Sequence, residues 1–100
     1  MALLEDVKLA LRISHNLLDE EIQQVITSAQ QEMVRAGVMP SVAEMSEESP
    51  VELVEQAIKT YAMEYYTRDV NEAKRYAESF QYQCDNLRKT YPAAEVIASV

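Results

Sequence analysis

A chain of 100 residues with a single glycine and three prolines has very few places to turn. Sheets built from hairpins need Gly, Asn or Pro at each tight connection, because those residues accept the left-handed or pre-bent backbone a turn demands. Long helices joined by few connections are what remains, and we expect an all-α fold. Leu, Ile, Val and Phe number 24, with 12 Ala and six Tyr, in an apolar share of 48%. That is enough to close one thin core, and the chain length leaves no room for a second domain.

Apolar periodicity and punctuation divide the chain into four helical segments with short connections and one longer acidic loop at about 38–49. The first runs roughly from Leu3 to Arg12, with Leu4, Val7 and Leu11 on one face, and stops at Ser14-His15-Asn16. Asp19-Glu20-Glu21 opens the second, setting negative charge at the positive end of the helix dipole. Its stripe is Ile22, Val25, Ile26, Ala29 and Met33, and Gly37 supplies a left-handed stop. The third begins at Ser49-Pro50-Val51-Glu52, a capping serine with proline at the first helical position, and carries Val51, Val54, Ile58, Tyr61 and Tyr65. Asp69-Val70-Asn71-Glu72 caps the fourth, whose stripe is Ala73, Tyr76, Ala77, Phe80, Cys84, Leu87 and Tyr91 before Pro92. The expected core includes Leu11, Ile22, Val25, Ile26, Val54, Ile58, Tyr61, Phe80 and Leu87. Residues 1–92 form the helical domain, and 93–100, apolar but unpatterned, a mobile tail that orders only against a neighbour.

Seventeen acidic and nine basic residues give a net charge of −8. Such a surface repels phosphate backbones, so ordinary nucleic-acid wrapping is not expected, nor is a helix-turn-helix reader without a basic recognition helix. Much of the charge is accounted for by helix stability. Arg12, Arg35, Arg68 and Arg88-Lys89 fall in last turns, and Glu64–Arg68, Lys74–Glu78 and Asp85–Lys89 stand four apart. No basic residue lies between Arg35 and Lys59, whereas Glu44, Glu47, Glu48, Glu52 and Glu55 do. This stretch is either a solvated acidic loop or a docking surface for a basic partner. No run approaches the ~20 apolar residues of a membrane span. The opening Met1-Ala2-Leu3-Leu4-Glu5-Asp6 lacks a signal peptide's basic start, so the expectation is a protein that stays inside the cell that makes it.

Chemistry is sparse. His15 has no second histidine or paired cysteine to share a metal or a proton with, one glycine cannot build a phosphate loop, and no Ser or Thr has a base beside it in the pattern. Cys84 reads as a reduced core thiol. We expect no enzyme, no metal and no cofactor. The six tyrosines are the most suggestive set, because a domain this small cannot bury them all and tyrosine is enriched at interfaces. Tyr66 and Tyr82 fall beside the core stripes, as do Arg68 and Arg75, and these four are the candidate subunit-interface residues.

The order Leu4-Glu5-Asp6-Val7-Lys8-Leu9-Ala10-Leu11-Arg12-Ile13, then Leu18-Asp19-Glu20-Glu21-Ile22, resembles the small head–tail connector (DNA-packaging adaptor) proteins of tailed bacteriophages. Val54-Glu55-Gln56-Ala57-Ile58-Lys59 through Tyr65-Tyr66-Thr67-Arg68 is similar to that family's third helix, and the resemblance covers most of residues 3–90. It implies a structural virion protein at the head–tail junction, assembled in the host cytoplasm. It also implies a cyclic homo-oligomer that docks on the portal protein after DNA packaging and offers a platform to the next neck or tail-completion protein. DNA would then be met only as non-specific passage through the channel, and no membrane is involved. The alternative is a stand-alone acidic helical adaptor or regulator binding one basic protein through Glu44, Glu47, Glu48 and their neighbours up to Glu55.

Overall fold

The computed structural model describes residues 3–45 and 51–91. They form α1 (Leu3–Leu11), α2 (Asp19–Arg35), α3 (Pro40–Ala43), α4 (Val51–Tyr66) and α5 (Val70–Thr90), with no strand among the described residues. The all-α expectation holds. The added element is α3, one turn inside the stretch we expected to be irregular. Pro40 occupies its first position with φ already set, Met39 before it is extended (φ −57°, ψ 131°), and Val42 and Ala43 are buried. Burying one valine yields ~1.5–3 kcal/mol, while ordering each backbone residue costs ~1–2 kcal/mol. The turn therefore depends on its neighbours: Gln30 Nε2 on α2 donates to the Ala43 carbonyl at 3.1 Å.

The body is a slab of 47 × 31 × 18 Å with α4 in its middle, in contact with every other helix. Val54, Ala57, Ile58, Thr60 and Ala62 of α4 are all buried, a wider girdle than the expected stripe because several neighbours cover the helix. Ile22, Val25, Ile26, Ala29 and Met33 of α2 close over it, as do Phe80, Cys84 and Leu87 of α5. Leu11 and Tyr61, expected in the core, pack at its edge instead, with the Tyr61 ring 5.1 Å from Phe80 between centroids. Thr60 is buried without penalty: its hydroxyl donates to the Gln56 carbonyl and accepts from Gln83 Nε2, which ties α4 to α5.

Helix ends follow local chemistry. Asp69 caps α5, its carboxylate accepting from the Asn71 and Glu72 amides at 2.8 and 3.1 Å. The reciprocal half of the expected box is rerouted, since the Glu72 carboxylate accepts from the Thr67 hydroxyl. Gly37 takes φ +109°, Gly37 N–H donates to Val34 and Val38 N–H to Met33, a Schellman close. A Cβ on Gly37 would come 2.6 Å from Arg88 Cδ, so a larger residue must move the Arg88 side chain as well as accept the positive φ. α1 closes with the same hydrogen-bond pattern, Arg12 to Leu9 and Ile13 to Lys8, but with Arg12 in the left-handed position at φ 62°. Arg12 and Arg68 thus lie beyond their helices rather than in the last turns expected. The charge pairs also differ. Ion pairs among the described residues are Lys8–Asp19, Arg35–Glu32 and Arg88–Asp85, and none of the three spaced pairs expected from sequence is among them. Arg68 is off the helix, Lys before Glu is the weaker order, and Asp85 takes Arg88 instead of Lys89. The Ser49 cap and the tail 93–100 lie outside the described residues.

Lys8 is the least expected member of the interior, 4% exposed. Its ammonium lies 2.7 Å from Asp19 Oδ1 and donates to Asn16 Oδ1 at 2.8 Å, so one buried charge gathers the end of α1, the turn 12–18 and the start of α2.

Two substitutions test these locks by denaturant unfolding. Asp19→Ala should cost ~1.5–3 kcal/mol, because a buried ammonium loses its charged partner, and Lys8→Met with Asp19→Leu should recover much of that loss. An Asp19→Ala variant as stable as the parent would remove Lys8 as the organiser of this corner. Gly37→Ala should cost more than ~1 kcal/mol, and Arg88→Ala should relieve only the steric part, since the positive φ still opposes alanine.

Candidate interaction surfaces

Among the described residues no group of three His, Cys, Asp or Glu side chains stands together as a metal site, and no helix is long and apolar enough to cross a membrane. His15 is occupied locally: its Nδ1 accepts from the Leu17 amide at 3.2 Å, which shapes the turn after α1. Cys84 is a core side chain, and burial, aided by the nearby Asp85 and Glu32 charges, pushes its thiol up to about 12. A thiol held protonated in this way is a poor nucleophile.

The interface candidates separate in space. Arg75 and Tyr82 share the outward face of α5, seven residues and therefore two turns apart, and Tyr82 is 68% exposed. Arg68 is exposed in the connection 67–69. Tyr66 is different: it is half-buried against the core, and its hydroxyl is enclosed without a hydrogen-bond partner. Burial first, then the neighbouring Glu21 carboxylate, raises that phenol to about 12, although Glu21 stands outside hydrogen-bond geometry. Tyr65, read from sequence as core, is 58% exposed and meets Tyr66 edge-on at 4.9 Å between centroids. The two tyrosines exchange roles: Tyr66 lies beside Ala10 and Leu11 of α1, Tyr76 of α5 and Glu21 of α2, whereas Tyr65 stands at an open margin beside Gln24 and Val25.

Several contacts bring residues 8–21 and 65–76 to one end of the slab. A depression of ≈ 220 Å³ sets Ala10, Leu11 and Arg12 beside Met63, Tyr66, Thr67 and Tyr76. A second, of ≈ 120 Å³, joins Glu21, Gln24 and Val25 to Tyr61 and Tyr65. This turn end carries five basic residues (Lys8, Arg12, Arg68, Lys74, Arg75) and five acidic ones (Asp19, Glu20, Glu21, Asp69, Glu72), so the whole net charge of −8 belongs to the rest of the chain. Leu9, Leu17, Tyr65 and Val70 stand exposed there. Sequence periodicity missed the set, although Leu17 and Val70 could have been noticed as apolar residues placed in or next to polar turns.

Toward the opposite end, α2 and α3 flank a shallow groove of ≈ 460 Å³ lined by Thr27, Gln30, Val34, Arg35, Pro40 and Glu44. Glu44, a candidate for partner docking, is exposed at its edge. Glu47 and Glu48 lie outside the described residues.

A family model described as Phage connector protein matches residues 3–94. Neither the curated proteins nor the solved structures contain a match.

The two buried acids give a stability signature at high pH. Cys84 and Tyr66 hold their protons more tightly folded, to about 12, than at their ordinary values of 9.0 and 10.0. Their contribution is complete below those ordinary values and is lost as pH rises toward about 12. The unfolding midpoint should therefore fall between pH 9 and 12, and Cys84→Ala combined with Tyr66→Phe should flatten that fall. A double variant with the parent's alkaline slope would place the titrating groups elsewhere.

Proposed function

The chain belongs to the phage connector protein family, and from that premise we propose that it forms a ring at the head–tail junction, docked on the portal after DNA packaging. The ring gives the next neck or tail-completion protein its platform. The observation that carries this reading is the extent of the family match, which spans all the described helices. The role is structural and not enzymatic, and the recognisable features of the surface are contact features: exposed tyrosine and aliphatic side chains, and arginines outside the helix interiors.

Net charge shapes how such a ring can close. At −8 per subunit, neighbours repel at long range, so contacts come from apolar and tyrosine surface and from local pairs with Arg or Lys. Tyr82 and Arg75 on the outward face of α5 and Arg68 in the connection before it supply such groups, while Tyr66 acts by shaping the surface around it. A portal holds many subunits at high effective concentration, so a self-contact that is weak in solution closes on the template. An acidic ring also lets DNA pass without holding it.

The test is made in the virus. Particles assembled without this protein should accumulate as DNA-filled heads that do not join tails, and Tyr82→Ser should lower incorporation while leaving the helical signal unchanged. Infectious particles in normal yield without the protein would sink the connector reading.

A further inference from the structure

We infer that copies of this chain meet through their turn ends, the α4–α5 turn of one subunit set against the α1–α2 turn of the next. The inference rests on the assembly role proposed above and assigns it a surface. Among the described residues the exposed large apolar side chains are Leu9, Leu17, Leu53, Tyr65, Val70 and Tyr82, and four of these six belong to the turn-end segments 8–21 and 65–76. Leu17 is 87% and Val70 82% exposed, so neither contributes to the core of its own subunit. Single exposed leucines are ordinary, but here each turn has two large exposed apolar side chains in or next to it, Leu9 and Leu17 for the first and Tyr65 and Val70 for the second.

Charge selects the occupant. The turn end is neutral while the remainder holds the full −8, so two copies brought together elsewhere set like charges against each other. Within the turn end the two turns differ in sign. Lys8 and Asp19 neutralise each other internally, which leaves the α1–α2 side with Arg12 against Glu20 and Glu21. The α4–α5 side has Arg68, Lys74 and Arg75 against Asp69 and Glu72, whose carboxylates are already engaged by the α5 cap amides and by Thr67. One turn is thus net acidic and the other net basic, each beside exposed apolar residues. A contact between two unlike surfaces of the same chain is heterologous, and it repeats from copy to copy and can close as a ring. A second copy of this chain is therefore the occupant that offers a complement to either turn.

The experiment is sedimentation of the full chain from ~10 μM to ~1 mM, a range that detects weak self-association. The parent protein should associate with rising concentration. Arg68→Glu with Arg75→Glu should weaken association about tenfold or more, and so should Glu20→Lys with Glu21→Lys. An equimolar mixture of the two variants should associate more strongly than either alone, because each reversed turn finds the other's reversed complement. All four residues are exposed, and Leu17→Asp, at a side chain that is 87% exposed, gives an independent variant expected to weaken association. A parent that stays monomeric throughout, variants that associate like the parent, or a mixture without recovery each overturn the contact. Incorporation of such variants into virions at parental levels would leave the connector role standing with a different surface; absence of the parent protein itself from virions would remove both.

Discussion

Every other helix of this domain leans on α4. A helix covered from several sides must give up most of its circumference to apolar or internally satisfied groups, and α4 does so with Val54, Ala57, Ile58, Thr60 and Ala62. The two alanines let neighbouring backbones approach closely. The threonine is tolerated because its hydroxyl donates along its own helix and accepts across to Gln83. The amphipathic α2 and α5 then need only one apolar face each, which leaves their far sides charged and free.

Two locks at opposite ends fix how the outer helices sit on that centre. At one end Lys8 is buried as a charge and drawn to Asn16 and Asp19, which makes α1, its turn and the start of α2 a single unit. At the other, the Arg88 side chain lies over Gly37, whose positive φ disfavours any side chain there, with its guanidinium hydrogen-bonded to Asp85 at 3.0 Å. Close by, the Met39 amide donates to the Tyr91 carbonyl at 2.9 Å, so the segment before α3 is tied to the end of α5. Connections that look like loops in the sequence are thereby held as rigid corners.

Rigid corners matter for a protein whose work is contact. A patch carried on mobile loops loses ordering entropy each time it binds, whereas one carried on clamped turns has already been ordered by folding. The turn end combines such clamping with zero net charge and exposed apolar side chains, while the remainder of the surface carries −8. Under the ring reading proposed above, that division turns the neutral ends toward a neighbouring subunit and leaves the acidic remainder facing away from it.

Local chemistry was legible in the sequence wherever it acts within a few residues. The left-handed Gly37 stop, the Asp69 cap and the α2 stripe from Ile22 to Met33 all follow from backbone sterics and helical spacing. The all-helical class follows from the scarcity of turn residues, and the family resemblance from the order of common helical residues along the chain. Tertiary structure alone decided which of two adjacent tyrosines faces in: one step along a helix turns a side chain by ~100°, and only the helices packed around the end of α4 determine that Tyr66 is covered and Tyr65 is not. It likewise decided that Lys8, placed by spacing on the face of Leu4 and Leu11 but by its charge in solvent, is buried, because its partner Asp19 lies on another helix. Pairings across the fold, such as Arg88 over Gly37 or Leu11 and Arg12 beside Tyr66 and Tyr76, depend on distances between helices, and a single sequence carries no record of those distances.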